Sequence, residues 1–372
     1  MNNSDKVRVG VIFGGRSGEH EVSLVSAQSI IKALKMNDYE VVPIGINKSG
    51  GWLVGAEPQN LLSDQRPTEQ IPMSGQPSIM GDPTHGGLVL LDKNRPLERV
   101  KLDVIFPIVH GTYGEDGTLQ GLLELADLPY VGCGVMASAI GMDKTAAKKL
   151  FRQAGLYVPH FREVLRSEWR KNPDFQIALI EKEFTYPCFV KPVNAGSSVG
   201  VSKAHDREEL VQALNEAGKF DRKMLIETFV KGRELEVSVL GNDDPIASIP
   251  GEIVPCHEFY DYNAKYIDNR SELRIPAPLS AEKTEEIRRQ AVIAFRAIDG
   301  AGMARVDFFY EEAAERLVIN ELNTIPGFTS ISMYPKLWEA SGISYPELVR
   351  KLVELACERF QDKQETLRNI AS

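Results

Sequence analysis

Four residues late in the chain have the types and spacing of a site that handles metal-bound phosphate. Arg305 and Asp307 lie two apart in ARVDFF, and Glu321 and Asn323 lie two apart in INELN. Side chains alternate faces along a strand, so each pair points one way. If the two strands pair antiparallel, three oxygen ligands and one guanidinium converge. Oxygen donors without His or Cys suit a hard cation such as Mg²⁺, which keeps waters and binds phosphates. Leu317 and Ile319 share the parity of Glu321, which predicts a face that is apolar until its end.

A second group is VKPVNAGSSVG, where Lys191 precedes a glycine–serine loop. Gly196 and Gly200 let the backbone approach a ligand, and successive N–H groups with serine hydroxyls can hold phosphate oxygens. A lysine about 4 Å from a phosphate charge contributes roughly 4 kcal/mol at an effective dielectric of 20. The loop is not a Walker A sequence, since Gly218-Lys219 is followed by Phe220. A third group is Gly14, Gly15 and Gly18, with Glu19 at the entry of a helix. A carboxylate there can receive an ammonium ligand or simply favour the helix dipole. In HGTYGEDGTLQG, His110 sits where a buried strand ends, the place at which open α/β sheets bind ligands. The stretch 256–276, with Tyr260, Tyr262, Lys265 and Tyr266, has no clean period and reads as a long functional loop or lid.

The elements that must position these residues follow from the apolar patterning. A strand at Val7–Phe13, the glycine turn, a helix from Ser23 to Lys35 and a strand at Tyr39–Ile46 predict a βαβ unit and a parallel sheet. Prolines break every period between Ala56 and Pro96, leaving an irregular insertion with a short strand at Leu88–Leu91. A buried strand spans Leu102–Val109. Asp143 is placed to cap a helix that stops before Gly155. Strands flank the glycine–serine loop, and Lys223–Phe229 and Arg233–Leu240 read as two more. Ser280 opens a helix with Ile287, Ala291, Phe295 and Ile298 on one side, followed by strands Ala304–Tyr310 and Arg316–Glu321 and a helical C-terminus.

Composition sets limits on function. The 372 residues suffice for two to three domains, and 43 Lys+Arg against 52 Asp+Glu give a net charge of −9. That argues against nucleic acid or an anionic membrane as partner, because both need a basic face. Cys133, Cys188, Cys256 and Cys357 form no CxxC pair, which predicts free thiols in a reducing compartment. No signal peptide or membrane-spanning run is visible, so a cytoplasmic protein is expected. The first turn reads GGxxG rather than GxGxxG and no acid ends the second strand, which counts against a dinucleotide-dependent oxidoreductase.

Together the strings GGRSGEHEVS, HGTYGEDGTLQG, MDK at 142–144, VKPVNAGSSVGVSK, FYDYNAKY, ARVDFF, INELNTIPGFTS and SMYP resemble the D-alanine–D-alanine ligases of the ATP-grasp superfamily, from Val7 to the C-terminal helices. The resemblance implies an α/β, ATP-grasp fold: a Rossmann-like parallel-sheet domain at 1–132 and two α+β domains, 133–227 and 228–372, enclosing the nucleotide. It implies ATP-dependent joining of two D-alanines through an acyl phosphate, for peptidoglycan precursor synthesis in cell wall biogenesis and cell shape. The alternative is a D-alanine–D-lactate ligase; Lys265 and Tyr266 in the lid favour the dipeptide.

Residue roles come with the resemblance. Glu19 would hold the ammonium of the first D-alanine, and Ser197 and Tyr266 would tie the phosphate loop to the lid in a chain with Glu19. Lys144, Lys191 and Lys265 would neutralise ATP phosphates. Glu227, Thr228, Phe229 and Val230 would contact adenine, and Glu234 the ribose. Asp307, Glu321 and Asn323 would hold two Mg²⁺ ions, for which Mn²⁺ can substitute. Arg305 and the Gly327 N–H would form the oxyanion hole. Ser332 and Met333 would bind the second substrate, His110 would line the first-substrate pocket, and the family suggests a homodimer.

Overall fold

The computed structural model describes residues 6–55, 57–59, 76–91, 98–254 and 272–366. The first sheet is built from β1 (Arg8–Gly14), β2 (Glu40–Ile46), β3 (Trp52–Val54) and, after an insertion, β7 (Val104–Ile108), in the order β3-β2-β1-β7. β1 runs parallel to both β2 and β7, as the βαβ reading predicts. The order reverses between β1 and β7, so the turns after these two strands open onto one crevice. Gly14 allows the first turn. Its φ is +89°, and a Cβ there would meet the Ile46 carbonyl oxygen at 2.1 Å. The helix that follows runs His20–Met36, one turn earlier than the expected Ser23 start. Ser23 lies inside it because its hydroxyl accepts the Gly14 N–H at 2.7 Å and donates to the Ile108 carbonyl, tying helix, β1 and β7 together.

The insertion is more regular than its prolines suggest. β4 (Gln76–Ile79), β5 (Gly87–Leu91) and β6 (Glu98–Lys101) form a three-stranded antiparallel sheet. Leu88, Leu90 and Val100 bury against Ile44, Ile105 and Leu123, so tertiary packing overrides the broken pattern.

A second sheet, ordered β10-β9-β11-β8, contains β8 (Phe161–Leu165), β9 (Cys188–Pro192), β10 (Ser202–Ala204) and β11 (Lys223–Thr228). Helices Pro173–Glu183 and Arg207–Phe220 cover it through Ile177, Ile180, Leu210 and Leu214. The third sheet runs β15-β14-β12-β16-β17, with β13 (Ile246–Ala247) paired to β12 (Arg233–Gly241). Its other members are β14 (Gly251–Val254), β15 (Glu272–Arg274), β16 (Gly302–Glu311) and β17 (Arg316–Asn323). Helix Ala281–Ala297 packs Ile287, Ala291 and Phe295 on it, and helix Lys144–Gln153 adds Ala147 and Phe151.

One core joins the two ends of the chain. Leu348, Val349, Leu352 and Val353 of helix Tyr345–Gln364 pack with Leu24, Ile31 and Leu34 of the first helix and with Val9, Val104 and Phe106 of the first sheet. Cutting any of these leucines to alanine would cost about 2–5 kcal/mol. Phe328, fully buried, belongs to the same core and carries the loop after β17 against the first sheet. That packing brings the crevice above β1 and β7 to the end of β16 and β17.

Candidate active site

A cavity of about 940 Å³ opens between the loops of the first sheet and the second and third sheets. Glu19, His110, Lys144, Lys191, Ser197, Glu227, Thr228, Phe229, Val230, Glu234, Arg305, Asp307, Glu321, Asn323, Gly327, Ser332 and Met333 all line it. Lys265 and Tyr266, with most of the expected lid, lie outside the described residues.

The carboxylate end is set by a register shift. β16 and β17 pair antiparallel with Arg305 opposite Asn323 and Asp307 opposite Glu321. The next pair is Phe308 with Ile319, so Asn320 is an extra residue in a β-bulge. The bulge corrects the parity reading. Leu317 and Ile319 face the buried core with Phe308, while Glu321 turns to the opposite face with Asp307. Without it, Glu321 would point into the core.

Arg305 holds Asp307 side-on, Nε to Oδ1 and Nη2 to Oδ2, each at 2.7 Å, and its Nε lies 3.0 Å from Glu236 Oε2. Burial works against the guanidinium, but Asp307 and Glu236 outweigh it and hold its pKa well above the ordinary arginine value. The Asn323 amide nitrogen reaches Asp307 Oδ2 at 3.4 Å. Among the described residues no three His, Cys, Asp or Glu side chains cluster as a metal cage. The donor set is two carboxylates and an amide, an oxygen-only set suited to a hydrated hard cation shared with phosphate oxygens.

Next to this stands a lysine group. Asp143 caps helix Lys144–Gln153 by accepting the Ala146 N–H at 2.9 Å. The cap aims Lys144 into the cavity, where its Nζ donates to the Ala195 carbonyl at 2.8 Å and lies 3.4 Å from Glu321 Oε2. One turn on, Lys148 is fully buried, donates to the Asn320 carbonyl at 2.7 Å and stands 3.1 Å from Glu227 Oε2. Lys191 pairs with the other oxygen of Glu227. Burial alone would push the Glu227 carboxyl up, but the two ammonium groups outweigh it and hold it down at about 2. Lys148 shifts down, burial prevailing over Glu227. Beyond Glu227, Phe229 faces Phe189 with ring centroids 6.0 Å apart, forming an aromatic wall of the cavity.

The opposite end gathers around Glu19. The glycine–serine loop turns with Ser197 and Ser198 at φ +48° and +57°, and Ser197 Oγ donates to Glu19 Oε1. The Glu19 N–H reaches Ser17 Oγ at 3.2 Å, and Ser17 donates to the His110 carbonyl at 2.6 Å. Glu19 therefore sits at the N-terminal end of helix His20–Met36, its carboxylate joined to the serine loop and its backbone N–H, through Ser17, to the strand β7 exit. Ser332 Oγ accepts the Thr329 N–H at 3.0 Å, and Met333 begins the helix Met333–Ala340.

Sequence reasoning passed over Glu115, Glu236, Lys148 and Ser26. Glu236 had a signal, since it shares a strand face with Glu234 and its register partner is Asp307. Lys148 is four residues from Lys144, on the same helix face. Glu115 and Ser26 had no local signal beyond their place in HGTYGEDG and in a helix.

A parallel-sheet unit docked on two facing antiparallel sheets, with lysines and a serine loop opposite strand-borne carboxylates, defines an ATP-grasp enzyme. Solved structures agree. VanG D-Ala:D-Ser ligase from Enterococcus faecalis superposes with a TM-score of 0.84 at 36% identity, covering 95% of this chain and 100% of that one. The D-alanine-D-alanine ligase from Coxiella burnetii gives 0.81 at 36% identity, covering 97% of each.

The family models of the D-ala D-ala ligase N-terminus and C-terminus match residues 8–133 and 150–354, and the chain belongs to the D-alanine–D-alanine ligase family. Curated relatives include the D-alanine--D-alanine ligases of Natranaerobius thermophilus, 52% identical over 96% of this chain and 97% of that protein, and of Acetivibrio thermocellus, 52% identical over 96% and 98%.

Proposed function

We infer that this chain catalyses ATP-dependent joining of two D-alanines to D-alanyl-D-alanine, for peptidoglycan synthesis. The observation that carries the reading is the meeting of every described residue of the expected set in one cavity. Full-length similarity to the family supports it. A free carboxylate does not condense with an amine in water, so the first D-alanine carboxylate takes the γ-phosphate of ATP and ADP leaves. The second D-alanine amine then attacks the acyl carbon, and the tetrahedral adduct expels phosphate.

The residues divide this work by position. Glu19, with Ser197 on one oxygen, binds the ammonium of the first D-alanine. Lys144 and Lys191 face the phosphates, and phosphoryl transfer asks mainly for such positioning and charge. The stretch Thr228–Val230 and the Phe189–Phe229 wall accept the flat adenine, and Glu234 the ribose. Glu227 supports Lys191 and Lys148 from beneath. Asp307, Glu321 and Asn323 would hold Mg²⁺, which when bound neutralises phosphate charge. Arg305 and the Gly327 N–H stabilise the oxygen of the tetrahedral adduct, and Ser332 and Met333 border the second substrate. Lys265 and Tyr266 complete the site from the lid. The domain division 1–132, 133–227 and 228–372, a cytoplasmic location and a homodimer belong to the same proposal; among the described residues no helix is long and apolar enough to cross a membrane.

The test is direct: incubation with ATP, Mg²⁺ and D-alanine must release phosphate and dipeptide in equal amounts. Phosphate at the level of an ATP-only control would refute it. D-Lactate in competition at neutral pH must give the minor product.

A further inference from the structure

Three side chains from the first third of the chain close on one loop from its last third. Glu115 Oε1 accepts the Ile325 N–H at 3.1 Å while Oε2 accepts the Gly111 N–H at 2.6 Å. His110 holds the other side of the same residue, its Nδ1 lying 3.0 Å from the Ile325 carbonyl oxygen. A carbonyl only accepts, so Nδ1 carries the hydrogen. Burial lowers the His110 pKa and keeps the ring neutral, which leaves Nε2 as the acceptor. Ser26 Oγ lies 3.3 Å from that nitrogen and accepts the Phe328 N–H at 3.3 Å. The directions close without conflict: Phe328 N–H to Ser26 Oγ, Ser26 O–H to His110 Nε2, His110 Nδ1–H to the Ile325 carbonyl. Tyr345 adds a bond from its hydroxyl to the Phe328 carbonyl at 2.8 Å. Ser26, His110, Ile325 and Phe328 are all buried, and Glu115 nearly so.

The anchors grip Ile325 and Phe328 and leave Pro326 and Gly327 between them. The Ile325 and Phe328 N–H groups are taken by Glu115 and Ser26, and Pro326 has no N–H, so Gly327 supplies the one amide hydrogen between the two gripped residues. We infer that Ser26, His110 and Glu115 are positioning residues for ligation: they set the Ile325–Phe328 loop so that the Gly327 N–H is aimed at the oxygen that becomes negative in the tetrahedral adduct. The inference rests on the proposed oxyanion role of Gly327. Oxyanion donors act through fixed aim, and losing one costs on the order of 10²–10³ in kcat. The first third of the chain therefore shapes the transition-state site as well as the first-substrate pocket.

Ser26→Ala and Glu115→Gln test this. Ser26→Ala removes one oxygen from a small side chain, so it remains decisive if Glu115→Gln folds poorly. Each variant is compared with wild type for turnover, for ADP binding by calorimetry, and for inhibition by a dipeptide phosphinate carrying tetrahedral phosphorus in place of the acyl carbon. The expected result is a kcat lowered at least about tenfold and phosphinate affinity lowered in parallel, with ADP affinity and the KM for ATP held within about twofold. Unchanged turnover in Ser26→Ala, or lost turnover with full phosphinate affinity, overturns the inference alone. A wild-type enzyme that binds the phosphinate no better than D-alanine overturns the Gly327 reading and the inference with it.

Discussion

Arg305 and Asp307 meet side-on, with both guanidinium-to-carboxylate contacts at 2.7 Å, and Glu236 takes a further share of the same guanidinium at 3.0 Å. One cation is thus set between two carboxylates, with Glu321 opposite Asp307 on the next strand. Such a face needs further positive charge when phosphate oxygens approach it. Asp307→Asn and Glu321→Gln should each lower turnover at least about tenfold and raise the Mg²⁺ concentration for half-maximal rate. Steady-state assays across a Mg²⁺ titration check this. Near-wild-type turnover in either variant removes the metal assignment.

The contact between Glu19 and the serine loop leaves no room at Gly196. A Cβ there would stand 2.5 Å from Glu19 Oε2. Gly196→Ala should therefore push Glu19 from its place while leaving the lysines in theirs. The expected outcome is a KM for the first D-alanine raised by about tenfold or more with ADP affinity within about twofold. Equal loss of both affinities would mean that the loop as a whole had moved, and the specific reading of Glu19 would fail.

What the sequence made legible was local. Strand parity in ARVDFF and INELN put Arg305 with Asp307 and Glu321 with Asn323, and Asp143 is the helix cap its type suggests. The extra residue Asn320 was invisible to a strict alternation, because a bulge is decided by what both strands pack against. The start of the first helix at His20 was hidden for a similar reason: Ser23 resembles a cap, but its hydroxyl is drawn to Gly14 and Ile108. The grip on the Ile325–Phe328 loop lay furthest from sequence reasoning. Ser26 and Phe328 are 302 positions apart, and a buried serine within a helix carries no sign of such a partner. Resemblance supplied roles for Gly327 and Glu234 that spacing alone does not.

Glu115 makes the enzyme's stability depend on pH in a readable way. Burial, with the Glu19 carboxylate adding to it, pushes its carboxyl up to about 8, against the N–H bonds from Gly111 and Ile325 and the charge of Lys144. In the unfolded chain the group titrates near 4.5. Between these values the native protein holds a proton that the unfolded chain has lost, so this contribution is complete below about 4.5 and vanishes as pH rises through about 8. His110 works in the opposite direction. Its pKa lies below 6.5, so its contribution is present above 6.5 and is lost on acidification. The interval from 6.5 to about 8 thus isolates Glu115. Across it, wild type should lose stability to urea relative to Glu115→Gln, whose side chain does not titrate. Wild-type stability that stays level with, or rises relative to, Glu115→Gln as pH increases contradicts a protonated Glu115.

Lys148 and Glu227 offer the sharpest energetic test, because Lys148 sits behind the carboxylate that also holds Lys191. Lys148→Met leaves Glu227 to Lys191 alone. A buried charge stripped of its partner costs about 3–5 kcal/mol, and because Lys191 still matches Glu227 the loss in Lys148→Met should fall below that range. Here the loss has a functional side. Lys191 becomes the sole counter-ion of Glu227, so ATP phosphates must compete harder for it, and the KM for ATP should rise about tenfold with little change for D-alanine. Glu227→Gln alone leaves both ammonium groups without their counter-ion, so adding Lys148→Met to it should relieve their repulsion and return part of the stability lost, with a coupling of about 0.5–3 kcal/mol between the two sites. Urea unfolding of wild type, both single variants and the double variant closes the cycle. Strict additivity would mean that the two side chains do not share charge, and the support assigned to Glu227 beneath the phosphate lysine would fall.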